Sequence, residues 1–313
     1  MKFEFDEDYF KDEIRSGFTI TECMKRYWAA SLKTLEIFDE ICKRHDLTYW
    51  ADCGTLLGAF RHHGFIPWDD DLDLGMPRRD YNRFLEIAED ELPKDYFVST
   101  YDTRTHRYNG ITVVINHIGT LFSPEVLGDY YCCPFPVGFD LYPYDNYPDD
   151  EDLRKEWRLD YVRKIYEIRK QRDEMPSNGE VGYGFLKELG AEAEKTAGKY
   201  MNDETDECGR FIFFALNKVK NTVKRKCFKV TADMPFETAS IPVPIFMEEL
   251  LLAEFGPDYV KSIRSSGAHD YPLYRRDIRE MIDFLKKGGI SLNDMPPMLQ
   301  YIRREADHLG IDY

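Results

Sequence analysis

Asp69-Asp70-Asp71-Leu72-Asp73-Leu74-Gly75-Met76 places a run of carboxylates where one extended segment can aim two of them at a single point. From Asp71 onward, acidic or small residues (Asp71, Asp73, Gly75) alternate with apolar ones (Leu72, Leu74, Met76), the period of two expected of a half-buried strand. Asp71 and Asp73 then share a face. Two like charges about 4 Å apart repel by roughly 4 kcal/mol at an effective dielectric near 20, so such a pair calls for a cation or a shared proton. Oxygen ligands that leave positions open for phosphate and water suit Mg²⁺, with Mn²⁺ as the alternative.

Other residues could complete such a site. Asp140 is a carboxylate inside the otherwise apolar segment Val137-Gly138-Phe139-Asp140-Leu141-Tyr142; it could be a third ligand or a structural Asp. Gly54-Thr55, just ahead of a short helical pattern, fits a phosphate seat, because glycine permits close backbone approach and free amides at a helix start attract anions. Arg61 could clamp a phosphate or cap that helix. His62 and His63 read as loop residues, without the spacing of a zinc site. Trp50, Trp68, Tyr142 and Tyr144 are either core or part of an aromatic cage of the kind that holds quaternary ammonium groups.

The elements that must position these residues follow from periodicity. A long helix is expected from about Thr21, as N-cap, to Asp46, then a strand at Leu47 to Ala51, the Gly54-Thr55 turn and a short helix at Leu56 to Arg61. After the acidic strand, Pro77 opens a helix with Tyr81, Phe84, Leu85 and Ala88 on its buried face. Strands are expected at Gly110 to Asn116, Thr120 to Phe122 and Val137 to Tyr142. Beyond Pro148-Asp149-Asp150 the pattern turns to charged helices, at about Leu153 to Arg172, Gly184 to Tyr200, Glu207 to Thr222, Phe246 to Phe255, Leu273 to Lys287 and Pro297 to Glu305. The expected fold class is α+β. Residues 1–150 form the catalytic core, and 151–313 a mainly helical region packed on it, on the acceptor side.

Composition narrows the function. A chain of 313 residues with 43% hydrophobic residues can fill a normal core. Its net charge of -16 disfavours nucleic acid, which is held mainly by clustered Lys and Arg. A small phosphorylated substrate held through a metal ion remains compatible. No apolar run approaches the roughly eighteen residues of a membrane span, so any membrane contact is expected to be peripheral. Seven cysteines without CxxC spacing and an acidic start (MKFEFDEDYFKDE) point to a reducing cytoplasm.

A solvated acidic face is the plain reading of the Asp run. An EF-hand loop counted from Asp69 would need Gly and Glu where Leu74 and Asp80 stand. A DxDxT phosphatase would need Thr at Gly75 and an apolar strand before its first Asp, where Pro67-Trp68-Asp69-Asp70 stands instead. Two sharper readings survive: a nucleotidyltransferase-like site, with Gly-Thr before a paired-Asp strand and a third Asp from a later strand, and a nucleotide-sugar glycosyltransferase with an Asp-x-Asp metal site. A non-catalytic metal- or glycan-binding protein is the rival from another class.

The block Gly54-Thr55-Leu56-Leu57-Gly58-Ala59-Phe60-Arg61-His62-His63-Gly64-Phe65-Ile66-Pro67-Trp68-Asp69-Asp70-Asp71-Leu72-Asp73-Leu74-Gly75-Met76 resembles the signature of the LicD family. Val137 to Asp145 is similar to the family's later IDIFPLD segment, and Ile241 to Pro244 with Phe255 to Tyr259 to its C-terminal element. The resemblance implies a nucleotidyltransferase-like core and transfer of phosphocholine from CDP-choline to a hydroxyl of a cell-surface glycan or teichoic-acid-type precursor, with CMP released. Fukutin-type relatives widen the donor to CDP-ribitol. By position, Asp71 and Asp73 match the metal-binding pair and Asp140 the third acidic position. Gly54, Thr55, Arg61, Trp68 and Tyr142 are expected around the donor, with Trp68 and Tyr142 as cage walls if it carries choline. Phe60 and Leu141-Tyr142 depart from the usual residues, and a basic residue expected near Val114 to Asn116 has no counterpart.

Overall fold

The computed structural model describes residues 1–99, 113–117, 124–173, 183–211, 215, 222–264 and 271–313. A short hairpin, β1 (Glu13–Arg15) and β2 (Phe18–Ile20), precedes helix α1 (Glu22–Arg44). Then follow β3 (Trp50–Ala51), α2 (Cys53–His62), β4 (Asp73–Pro77), α3 (Arg78–Glu91), β5 (Tyr96–Ser99), β6 (Val113–His117), α4 (Pro124–Asp129) and β7 (Val137–Tyr147). The remainder comprises α5 (Glu151–Asp173), α6 (Tyr183–Ala197), β8 (Glu207–Gly209), β9 (Val223–Lys224), the hairpin β10 (Thr231–Phe236) and β11 (Ala239–Pro244), α7 (Met247–Phe255), α8 (Arg275–Lys287) and α9 (Tyr301–Leu309). The expected α+β class is observed, as helices on a mixed sheet.

Among the described residues the sheet runs β3-β4-β7-β6-β5, with β8 joining β7 and β9 joining β8. Its pairings are antiparallel except for β4 with β7, which run parallel. The long β7 serves two partners in succession: its first half lies between β4 and β6, and Asp145 to Tyr147 pair with β8. The sheet therefore continues past the point near 150 where the sequence changes character.

Helix α1 starts where the Thr21 hydroxyl accepts a hydrogen bond from the Met24 amide, as expected of an N-cap. Its Phe38 ring lies 5.0 Å from both Phe84 of α3 and Phe139 of β7, tying two helices to the centre of the sheet. On α3, Tyr81, Phe84 and Ala88 are buried as the spacing requires, and Leu85 is half-buried. A second apolar cluster gathers Tyr147, Trp157, Tyr161, Tyr200 and Phe211, with Trp157 stacked 3.6 Å from Phe211. Arg78 bridges this side to the sheet. Its guanidinium donates to both carboxylate oxygens of Asp145 (2.6 and 2.9 Å) and to Glu194 of α6 (2.5 Å), all at buried or nearly buried positions.

Several sequence expectations need correction. The strand expected at Leu47 to Ala51 contracts to Trp50–Ala51, and α2 begins at Cys53, so Gly54 and Thr55 lie in its first turn rather than in a loop ahead of it. The helix expected from Glu207 begins instead as β8: Cys208 is buried, and Glu207 to Gly209 complete the edge offered by Asp145 to Tyr147. Most of that segment past Arg210, the strand expected at Thr120 to Phe122, and the start of the Gly110 to Asn116 strand lie outside the described residues. The hairpins β1–β2 and β10–β11 have no counterpart in the sequence reading. The second turns at Glu237-Thr238 with φ +48° at Glu237, where a glycine or asparagine would have signalled it.

Two outcomes test this packing. Arg78→Ala leaves two buried carboxylates without their cation and should cost about 3–5 kcal/mol, read as a lower urea midpoint. Gly75→Ala would drive its Cβ into the Trp50 indole and to 2.9 Å from the Tyr144 ring, so the expected loss is about 1–3 kcal/mol by the same measurement.

Candidate functional site

The parallel register of β4 and β7 sets Asp73 directly opposite Asp140. At the end where the acids sit, the Asp140 amide donates to the Leu72 carbonyl (2.8 Å) and holds that register, while on the other side of β4 the Asp52 amide donates to the Asp73 carbonyl (2.9 Å). In parallel strands, side chains at paired positions share a face, so the two carboxylates project together. Asp71 stands two residues ahead on the same segment. Burial pushes the Asp73 carboxyl well above the usual range, and the charges of Asp71, Asp140, Asp69 and Asp52 push it further. Immediately before the strand, Asp69, Asp70 and Asp71 offer oxygens that all lie within 4.8 Å of one another. The acid cluster thus extends one turn earlier in the chain than the Asp71, Asp73 and Asp140 set.

Helix α2 supports this cluster from beneath. The Thr55 hydroxyl accepts a hydrogen bond from the Asp73 amide (2.8 Å), which fixes the start of β4 and leaves the Thr55 proton to donate elsewhere. A Cβ on Gly54 would stand 2.6 Å from Asp69 Oδ2 and 4.0 Å from Asp73 Oδ2, so only glycine lets the helix start approach the carboxylates this closely. The requirement at Gly54 is steric and local to the acids.

Asp140 is oriented by its own strand, since the Tyr142 hydroxyl donates to Asp140 Oδ2 (3.1 Å). Behind it lies Arg210, whose guanidinium is 5.8 Å from the Tyr142 ring centroid. Arg210 also pairs with Glu254 (2.7 Å) and Asp52 (3.6 Å) and donates to the Cys53 thiol. Burial works against its charge, but Asp52, Cys53, Tyr144 and Glu254 outweigh it and hold the Arg210 pKa high. Asp52, Cys53 and Glu254 offer ligand atoms within 4.8 Å of one another, yet Arg210 already touches all three, so this set is an ion-pair cluster around a guanidinium. Tyr144 completes it by donating to Asp52 (2.9 and 3.0 Å).

The remaining expected residues surround the acidic loop. Arg61 is half-buried, donates to the Lys261 carbonyl (2.5 Å) and is attracted by Asp69, while burial lowers its pKa. Its Nε and the His62 Nε2 are buried with no hydrogen-bond partner among the described residues. Burial, then the Arg61 charge, also lowers the pKa of His62. Trp68 stands with Phe18 and His62, each 6.2 Å from it between ring centroids. Glu237, at the tip of the β10–β11 hairpin, latches the loop before the acids: its carboxylate accepts from the Phe65 amide (3.1 Å) and pairs with Arg15 (2.7 Å), while its own amide donates to the His63 carbonyl (2.8 Å).

This arrangement can be set beside known proteins. Residues 46–115 match the family model described as LicD/FKTN/FKRP, nucleotidyltransferase domain. The chain carries a LicD-family domain. Within the family's range it is similar to the lipopolysaccharide cholinephosphotransferase LicD of Haemophilus influenzae, 34% identical over 122 residues, which cover 39% of this chain and 44% of that protein. It is 30% identical over 136 residues to an uncharacterized protein of Rickettsia prowazekii, covering 40% and 51%. With human ribitol 5-phosphate transferase FKRP it shares 27% identity over 121 residues, covering 37% and 20%. The chain thus spans about half the length of these curated relatives at most.

The LicD-matching segment contains Asp52, Gly54, Thr55, Arg61, Trp68 and the Asp69 to Asp73 run, whereas Asp140, Tyr142, Arg210 and Glu237 lie outside it. Sequence reasoning missed Asp52, Asp69, Arg210 and Glu237. Asp52 carried a readable signal, a capping-type residue just before a helix, and Asp69 stands in the run itself. Arg210 and Glu237 carried none, because what they touch lies far away in sequence.

Because the folded-state pKa of Asp73 is raised, its ionisation destabilises the fold as pH rises from the ordinary carboxylate value toward the raised one. Without divalent cations, Asp73→Asn should therefore raise Tm at neutral pH, and the gain should shrink as pH falls toward about 4, read by calorimetry.

Proposed function

We propose that this chain is a metal-dependent transferase that moves a phosphorylated alcohol from a CDP-activated donor, CDP-choline first, to a hydroxyl of a cell-surface glycan precursor, releasing CMP. The β4–β7 register that stacks Asp73 against Asp140 beside Asp71 carries this reading. Names of the relatives support its chemistry, one a cholinephosphotransferase acting on lipopolysaccharide and one a ribitol 5-phosphate transferase.

The chemistry of the donors supports the ion that this reading needs. The set is made of carboxylate oxygens without histidine or thiolate, which suits Mg²⁺ or Mn²⁺, and the crowding that raises the Asp73 pKa is what a bound divalent cation relieves. Asp71, Asp73 and Asp140 would hold it. A bound ion supplies charge neutralisation at the attacking and departing oxygens.

The chain's own residues do the rest by placing and proton handling. The acceptor oxygen forms a bond to the distal phosphorus of the donor, the bond from that phosphorus to the oxygen shared with CMP breaks, and that oxygen leaves with CMP. Asp140 takes the hydroxyl proton. Tyr142, held between Asp140 and the Arg210 cation, serves to orient that base. Arg61, whose Nε meets no acceptor among the described residues, binds donor phosphate. Trp68 and Phe18 offer aromatic surface to a choline headgroup.

Mass spectrometry of products after incubation with Mg²⁺ and a panel of CDP-choline, CDP-ribitol and UDP-sugars tests this reading. CMP and a phospho-alcohol adduct are expected; turnover of a UDP-sugar with Mn²⁺ alone would favour a glycosyltransferase instead. Asp73→Ala and Asp140→Asn should each lower turnover by at least about a hundredfold while keeping a cooperative thermal transition. Tyr142→Phe should lower it by roughly tenfold, mainly in kcat.

A further inference from the structure

In an acidic chain, six of the twelve residues from Lys218 to Lys229 are Lys or Arg, and no Asp or Glu occurs between Cys208 and Ala232. Of these cations, Lys224, Arg225, Lys226 and Lys229 lie among the described residues. They surround a tight turn, Arg225–Phe228, whose Cys227 and Phe228 are buried. Phe228 stacks 4.4 Å from Trp50 and stands 4.6 Å from Tyr144, so the turn is bolted to the edge of the sheet while its cations stay outside. Lys224, Lys226 and Lys229 are exposed and Arg225 half-exposed.

Apolar residues continue the same surface. Val230 is 54% exposed, Ile245 47% and Phe246 40%. They are neighbours by bonding and contact, since the Ile245 amide donates to the Val230 carbonyl (3.2 Å) and the Lys226 ammonium lies 5.1 Å from the Phe246 ring. Two carboxylates face the cations, Asp206 at 3.7 Å from Lys224 and Glu249 at 3.3 Å from Lys226. They offset two of the four charges. Between the cations and Thr205 opens a cavity of about 380 Å³, large enough for a phosphate headgroup.

We propose that this surface docks the protein on an anionic lipid membrane. Cations beside exposed aliphatic and aromatic side chains match the headgroup boundary, where phosphates lie directly above acyl chains. A nucleic acid would meet the cations but gain nothing from the exposed Val230 and Ile245, whereas acyl chains would. Among the described residues no helix is long and apolar enough to cross a bilayer, so the contact is peripheral. The patch is held at a fixed place relative to the acids, because β9 pairs with β8 and β8 with β7, the strand that bears Asp140. Docking does not depend on the proposed chemistry, and either can fail without the other.

Flotation of the full chain with vesicles of phosphatidylcholine, alone or mixed equally with phosphatidylglycerol, tests it. Binding to the mixed vesicles only, weakening with added salt, is expected. Arg225→Ala with Lys229→Ala should lower partition by about thirtyfold, and Val230→Ser should lower it without changing the salt dependence. Circular dichroism and Tm check that both variants keep the fold, and Lys229→Glu provides a single-site variant with the same expected direction. Equal partition to both vesicle types would overturn the proposal. So would loss of vesicle binding on addition of inorganic phosphate at matched ionic strength, which would mark a small-anion site.

Discussion

Like charges brought together out of water set the terms for the rest of this molecule. Once β4 and β7 run parallel with Asp73 opposite Asp140, the carboxylates of Asp71, Asp69 and Asp52 are close enough to raise the proton affinity of Asp73 further. Neighbouring features serve this crowding. Glycine at position 54 leaves room for Asp69, Thr55 pins the strand start, and Tyr142 turns the second acid. That repulsion costs stability, and a divalent cation bound there, as the proposed function requires, would relieve it.

Cations inside the fold are placed to contain that charge without cancelling it. Arg210 engages Asp52, Cys53 and Glu254 at the base of α2 and lies across the Tyr142 ring, behind the acids. Arg78 does comparable work at the far end of β7, where Asp145 and Glu194 meet it between the two apolar clusters. Both come with their carboxylates already paired, as burial of a charge requires. Four further cations, Lys224, Arg225, Lys226 and Lys229, gather at the surface around the turn after β9.

Local patterns carried much of this into view. The alternation through Asp73 to Met76, the Thr21 cap with the apolar spacing of α1, the Pro77 start of α3, and the charged helix after Asp150 each reflect forces acting within a few residues. They appear in the structure close to where periodicity places them. The β10–β11 hairpin was illegible because its Glu237-Thr238 turn lacks the usual glycine or asparagine, whereas the N-terminal hairpin did carry a turn signal, Ser16-Gly17 with both residues at positive φ, between strands too short to show an alternation. The β10–β11 tip owes its place to Glu237, which reaches residues 15 and 63 to 65. Position 207 to 209 read as helix because its composition permits one; the open edge of β7 made it a strand.

The amino-acid sequence alone determined which groups are present for chemistry: an oxygen-rich acidic run, a glycine and threonine ahead of it, and a lone Asp140 in an apolar strand, in an order similar to LicD. Local physics suffices for that, because strand alternation and helix spacing decide which side chains share a face. Which acids meet was decided by tertiary structure, through a register that pairs residues 67 positions apart and through Arg210, 157 residues beyond the thiol it touches. Interstrand hydrogen bonds and buried ion pairs depend on distance in space, and separation along the chain carries no record of it.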